Sequence, residues 1–402
     1  MTSKKFIKQC IIKQKKEKTY KGDWYTINSI LGNDWARFFY LLGGREAGKS
    51  YSTMKWAINR KLRNPEKVKF YWFRLTETQQ KSLLANGAGD LIDPDLKRKY
   101  KLNTCTKGNI VYTYKEETYT NKNGKEITKK VDQQEFCRVM SCSTFYNDKG
   151  RGYFDNEYDG EYIIILDEMN REENEKNSFD IVYAFVNQLE NVVRSTPVNV
   201  RVFLIGNTLE EASDLLSALN FIPDGFGRFK LVKNRQTLYK FMKEYKEAKT
   251  PYERVQITKK YENVDFGKRA VVDYIKPNEE YMARRKQALA NTLMGNASTF
   301  TNEIELDKSL LVNKRKRIQP QYIIKFNKSK DSWFTVWNNY IVSDYNKEEV
   351  RAIAMRRYLD EQYVQESANA MIEIFDARAF HFTTLAIFKK FQKQMRLLKP
   401  QK

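Results

Sequence analysis

The chain has 402 residues, 41% of them hydrophobic and 14% aromatic, which is ample for more than one folded core. A formal charge of +22 indicates either a polyanionic partner, nucleic acid foremost, or simply a soluble basic surface. Four cysteines without C-x-x-C spacing and a single histidine, His381, argue against a zinc site, a disulfide framework, an H-E-x-x-H metalloenzyme and a Ser-His-Asp hydrolase.

Residues 1–21 are lysine-rich, with Phe6, Ile7, Ile11 and Ile12 interspersed. They read either as a basic arm on nucleic acid or as a solvated amphipathic helix. They lack the apolar core of a signal peptide, and no apolar run in the chain approaches membrane-spanning length, so a cytosolic protein is expected. Phe38–Leu42 reads as a buried strand running into Gly43-Gly44-Arg45-Glu46-Ala47-Gly48-Lys49-Ser50, which fits G-x-x-x-x-G-K-[ST]. Such a loop wraps a polyphosphate with backbone N–H groups, so glycine is needed where a side chain would collide with oxygens. Lys49 is expected to reach the β- and γ-phosphates of ATP and the Ser50 hydroxyl to take a place on Mg²⁺. Met54, Ala57, Ile58 and Leu62 then mark one helical face, which sets the helix N-terminus, with Tyr51 in its first turn, against the phosphates. Upstream, Trp24 or Tyr25 either stacks on the base or packs in the core.

Val68–Leu75 reads as a second strand with Arg74 toward the nucleotide edge, and Thr76–Gln79 as a helix start. Asn109–Tyr114 and Lys125–Met140 are β-rich around a turn at 121–124 and predict a hairpin inserted in an α/β core. Its lysines, Lys122, Lys125, Lys129 and Lys130, either touch DNA or keep an edge soluble. The loop holding Lys149-Gly150-Arg151-Gly152 either faces phosphates or is a surface turn. Tyr162-Ile163-Ile164-Ile165-Leu166 predicts a strand buried on both faces of a parallel sheet, ending in Asp167-Glu168. Asp167 is expected to hold Mg²⁺ through water and Glu168 to orient and deprotonate the attacking water. An amphipathic helix follows over 178–194, then a strand Val200–Ile205 ending in Gly206-Asn207-Thr208. Asn207 and Thr208 are either γ-phosphate sensors or ordinary turn residues.

Beyond Leu231 the sequence turns charged and helical in period, including a helix over Tyr281–Leu293 and the basic run Lys314-Arg315-Lys316-Arg317. Pro320 marks a boundary, after which Tyr322–Phe326, Trp333–Trp337 and Tyr340–Val342 predict an antiparallel meander, followed by helices over Lys347–Val364 and Phe382–Leu398. The expected domains are a P-loop ATPase domain over 1–231, a linker or lid subdomain over 232–318, and a small α+β domain over 319–402.

Gly-Gly-Arg-x-x-Gly-Lys-Ser after an aromatic strand, Ile-Ile-Ile-Leu-Asp-Glu and Ile-Gly-Asn-Thr together resemble viral genome-packaging ATPases. The likeness is to motors of small short-tailed phages with protein-primed genomes (the Picovirinae type), which are similar to large terminases. It covers roughly residues 35–235. It implies a RecA/ASCE-like ATPase domain, a linker and an RNase H-like C-terminal domain. It further implies a homomeric ring, expected to be pentameric, in the host cytoplasm and transiently attached to a procapsid. The ring would dock on the portal or connector, directly or through a scaffolding RNA, and push double-stranded DNA inward. In such rings an arginine from the neighbour completes each ATP site; Arg194 lies in the corresponding region, with Arg201 and Arg228 as competitors. Glu46, an acid within the loop, departs from the pattern. Another DNA translocase or helicase shares everything up to residue 231, and a terminase would carry an active nuclease. Against the nuclease, the first two meander strands hold no Asp or Glu, leaving Asp344, Glu373 and Asp376 without a first-strand ligand. Lys389, Lys390, Lys393, Arg396 and Lys399 would offer the small domain a polyanion-binding face.

Overall fold

The computed structural model describes residues 20–21, 24–44, 47–120, 126–147, 158, 160–170, 179–193, 199–207, 213–221, 223, 226–276, 312, 320–326, 332–346 and 368–398. The chain divides into two compact units, one of Gln9–Leu209 and Phe226–Glu303, the other of Met1–Lys8, Glu210–Gly225 and Ile304–Lys402.

The first unit begins with a ribbon of β1 (Tyr20–Lys21) and β2 (Trp24–Tyr25). The core elements follow as β3 (Phe38–Leu42), α1 (Lys49–Arg63), β4 (Val68–Arg74), α2 (Glu77–Ala88) and α3 (Pro94–Tyr100). Next come β5 (Asn103–Lys107), β6 (Ile110–Thr120), β7 (Glu126–Ser141), β8 (Glu161–Asp167), α4 (Ile181–Val193) and β9 (Val200–Gly206). After α5 (Asp214–Leu219), which lies in the second unit, the chain returns with β10 (Gly227–Leu231), α6 (Arg235–Glu247), α7 (Pro251–Lys260) and β11 (Ala270–Tyr274). The nine strands form one sheet in the order β10-β11-β3-β9-β8-β4-β7-β6-β5. The six from β11 to β7 are parallel, and β10, β6 and β5 add antiparallel margins.

This arrangement follows from the side chains. Every residue of β8 is buried, as a strand covered on both faces must be. Phe70 and Trp72 of β4 join one cluster with Met54, Ala57 and Ile58 of α1 and with Leu238 and Phe241 of α6. Phe73 points the other way and meets Phe185 of α4 edge-on, ring centroids 6.3 Å apart. The Thr76 capping box starts α2, while non-helical torsions at Ala85, Asn86 and Gly87 break it near its end.

Two expectations change here. The hairpin is part of the main sheet, because the far end of β7 (Arg138–Ser141) pairs in parallel with β4. The boundary expected at 231 also falls inside this unit. Strand β11 lies between β10 and β3, and α6 packs on the same core, while 210–225 belong to the other unit.

In the second unit, β12 (Pro320–Lys325), β13 (Trp333–Trp337) and β14 (Ile341–Asp344) form the expected antiparallel meander. After α8 (Ala368–Asp376), β15 (His381–Phe382) joins β14 in parallel, and α9 (Leu385–Leu398) follows. Phe334, Phe380, Phe382 and Phe391 form its buried aromatic centre. The helices expected over 281–293 and 347–364 and the basic run 314–317 lie outside the described residues, as does Lys399. No helix among the described residues is long and apolar enough to cross a membrane.

Candidate nucleotide site

The C-terminal ends of β3, β8, β4 and β9 meet at one edge of the sheet, where open parallel sheets place their ligands. The chain leaves β3 through Gly43 and Gly44 and enters α1 at Lys49. Gly48 has φ +88°, a left-handed conformation that glycine adopts without strain. A Cβ there would also stand 3.3 Å from the Trp24 side chain. The Ala47 carbonyl accepts from the Tyr25 N–H at 2.9 Å, so the β1–β2 ribbon braces the loop.

Lys49 is buried, and its Nζ donates to the carbonyls of Gly43 at 3.0 Å and Gly44 at 2.6 Å and to Asn207 Oδ1 at 3.4 Å. Burial pulls the ammonium down to about 8, against the pull of Asp167. Ser50 Oγ donates to Asp167 Oδ1 at 2.8 Å. Burial raises the Asp167 carboxyl above the usual range even though Arg74, Ser50 and Lys49 favour its charged form. A hydroxyl and a desolvated carboxylate so close together form the all-oxygen donor pair that suits Mg²⁺. Ser50 and Asp167 would therefore hold that ion.

Arg74 bridges the two acids, Nη2 to Asp167 Oδ2 at 3.1 Å and Nη1 to Glu168 Oε2 at 2.5 Å. Glu168 is itself 56% exposed in its side chain and sits at φ +58°, a conformation that costs a non-glycine residue about 1–3 kcal/mol. The N–H of Met169 donating to Ile205 O at 2.9 Å helps to hold it there. Asn170 Nδ2 donates to the Asn207 carbonyl at 2.6 Å and ties the ends of β8 and β9 together.

Lys49, Ser50, Asp167 and Glu168 line a cavity of about 630 Å³, which is room for a nucleoside triphosphate. Its walls include Trp24, Ala47, Gly48, Tyr51, Asp93, Asp95 and Asn207. The two aromatic alternatives separate. Trp24 is 44% exposed and faces this cavity, whereas Tyr25 is buried with its hydroxyl on Asp273 at 2.8 Å. The Tyr51 hydroxyl donates to Asp95 at 2.8 Å; desolvation first, then that bond, push the phenol up to about 12. Asp93, Asp95 and Asn170 were not singled out from sequence. For Asn170 the signal was its place two residues beyond Glu168; for the two aspartates, at the start of α3, there was none.

Arg45, Glu46, Thr208, Arg194 and the Lys149–Arg151 loop lie outside the described residues. The two competitors for the neighbour-directed arginine are internal. Arg228 is buried against Asp273 at 2.9 Å and Ser29 Oγ at 2.8 Å, and Arg201 is paired with Asp34 at 3.1 Å and Glu161 at 3.3 Å. On the hairpin, Lys129 and Lys130 stand opposite Glu117 and Glu116, and Lys115 bonds Asp132 at 2.9 Å. That pairing favours a solvated arm over a DNA contact there. The tip, with Lys122 and Lys125, is outside the described residues.

No family model and no curated protein matches the chain. Among solved structures, the gp11 DNA packaging motor of phage Phi-28 is similar over 95% of this chain and 100% of its own, at 14% identity and TM-score 0.51. The genome packaging motor assembly of bacteriophage Phi-29 is similar over 94% and 100%, at the same identity and TM-score. At that identity the likeness is one of fold. The chain therefore has the fold of phage DNA-packaging motors, the group that its motifs resemble.

Proposed function

We propose that this chain is an ATP-hydrolysing motor that moves double-stranded viral DNA into a procapsid through the portal vertex. The observation that carries the reading is the convergence of Lys49, Ser50, Asp167 and Glu168 on one cavity at a single sheet edge. The backbone of Gly43–Ser50 would cradle the phosphates, and Lys49 would exchange its bonds to the Gly43 and Gly44 carbonyls for phosphate oxygens. Mg²⁺, when bound, would neutralise phosphate charge. Glu168 would orient the attacking water and take its proton, and Asn207, beside Lys49, would report the state of the γ-phosphate. Arg74 restrains Glu168, so that carboxylate must be released from it before acting as a base.

The chain would act as a homomeric ring, pentameric by the resemblance, with Arg194 reaching the neighbour's ATP. Arg194→Ala subunits mixed into the ring would then depress its ATPase by more than their share. The second unit would serve as an RNase H-like docking module, bound to the portal directly or through a scaffolding RNA. In support, β12 and β13 contain no carboxylate and Asp344 is paired with Lys390 at 3.3 Å, while the exposed Lys390 and Lys393 of α9 suit a polyanion. Because β15 lies beside the third meander strand, the relation rests on element order and not on strand order. The experiment is a packaging assay with portal-bearing procapsids, DNA and ATP. Nuclease-protected DNA that depends on this chain supports the reading; DNA left unprotected, with ATP hydrolysis intact, would point to a different translocase.

A further inference from the structure

The other end of the sheet carries a group of cations that have no acid partner among the described residues. Arg37 lies just before β3 and Arg269 just before β11, and the N–H of Arg37 donates to the carbonyl of Arg269 at 2.8 Å. Arg269 Nε donates to the Trp35 carbonyl at 3.2 Å. Across from them, on α7, Arg254 stands 5.9 Å from the ring centre of Tyr245 on α6, and both Arg254 and Arg37 act on that phenol. The Nε atoms of Arg37 and Arg254 are buried and have no hydrogen-bond partner. Burial and then the neighbouring Arg37 pull Arg269 down to about 10, and burial followed by Lys233 lowers Lys268. Among the described residues, no carboxylate acts on Arg37, Arg269 or Lys268.

The rest of this unit is built differently. Arg201, the second residue of the adjacent strand β9, has Asp34 and Glu161, and Arg228 has Asp273. The acids closest in sequence on α6 and α7 are engaged elsewhere: Glu244 with Lys260 and Tyr261, Glu247 with Lys243, and Glu253 with the start of α7. Where a permanent counterion is wanted, the chain supplies one. Half-buried, unneutralised guanidinium groups are held at a cost that only an external anion relieves.

We propose that Arg37, Arg254, Arg269 and Lys268 form a second anion site, remote from the ATP cavity, that takes a phosphodiester of the DNA backbone. The inference rests on the motor reading. The five residues of β3 separate Arg37 from Gly43, six steps along the chain or about 20 Å, so one anion cannot serve both sites. Guanidinium forks match phosphate oxygens in pairs, and a backbone contact suits a motor that must hold and release any sequence. Partial exposure lets the anion come and go, which an internal carboxylate would prevent.

The test is salt-dependent binding of linear double-stranded DNA to the full chain, read by fluorescence anisotropy. Arg37→Gln combined with Arg254→Gln is expected to weaken binding about tenfold and to flatten the slope of log affinity against log salt by about 1–2. Affinity for a fluorescent ATP analogue stays as in the unaltered chain, and the melting temperature is equal or higher because repulsion is relieved. If that variant fails to fold, Lys268→Gln, at an exposed position, should flatten the slope by about 1. A folded variant with unchanged slope overturns the proposal. So does loss of self-association with DNA binding intact, which would assign the cluster to a carboxylate of a second copy. Failure of the unaltered chain to bind DNA would be seen before any substitution, and would sink the motor reading itself.

Discussion

Buried Lys49, at the end of the glycine loop, yields a quantitative expectation. Burial lowers Lys49 from 10.5 to about 8, a difference of about 3 kcal/mol between its two protonation states. The free chain therefore begins to lose this proton as pH rises through 8. Bound phosphates hold the proton, because they replace neutral carbonyls with anionic oxygens, so the bound state binds more protons than the free state above pH 8. By linkage, affinity for ATP is level below about pH 7, is about halved at pH 8, and is down about fourfold at pH 8.5 and about tenfold at pH 9. Tyr51, at about 12, stays protonated throughout this window. Titration of a fluorescent ATP analogue between pH 7 and 9.5 reads the effect directly. Lys49→Arg should bind more weakly but with a flat profile, because a guanidinium keeps its proton. A flat profile in the unaltered chain would refute the reasoning, since Lys49 would then be either well solvated or remote from the phosphates.

Arg74→Ala removes the cation between Asp167 and Glu168 and leaves a buried carboxylate without its main partner. Thermal melts should fall by the equivalent of about 2–4 kcal/mol, and added Mg²⁺ should restore more of the loss than it adds to the unaltered chain. Asp273→Asn leaves Arg228 and the Tyr25 hydroxyl facing a neutral group. Denaturant unfolding should show about 3 kcal/mol of destabilisation. Mixed with unaltered subunits, Asp273→Asn subunits should lower ATPase only in proportion to their share; a greater loss would give Arg228 a role across subunits after all. Gly48→Ala should reduce ATP affinity at least tenfold in a binding titration, because a Cβ meets Trp24 at a left-handed φ.

The candidate site was legible where its information is local. Glycine spacing, a run of β-branched residues and a terminal Asp-Glu each fall within a few positions, and the structure brings Gly48, Lys49, Ser50, Asp167 and Glu168 to one cavity. The meander was readable for the same reason. The extent of the first unit was not, because β11 is only five residues, Ala-Val-Val-Asp-Tyr, and follows two charged helices. An aspartate in its middle argues against a buried strand until Arg228 and Tyr25 are seen to bind it. Arg228 stood as a competitor for the neighbour-directed arginine because its partners Asp273 and Ser29 lie 45 and 199 residues away in sequence. Asp93 and Asp95 stand on the cavity wall at the start of α3, beyond the broken end of α2, and no periodicity announces that place.

The central claim is that this cavity hydrolyses ATP in step with DNA. The most direct measurement is phosphate release by the purified chain with Mg²⁺, with and without linear double-stranded DNA, beside Glu168→Gln. The account predicts Mg²⁺-dependent turnover that DNA accelerates, and a Glu168→Gln chain that binds ATP with unchanged affinity yet turns over about 10²–10⁴-fold more slowly. Turnover indifferent to DNA, or near-normal turnover in Glu168→Gln, would contradict it.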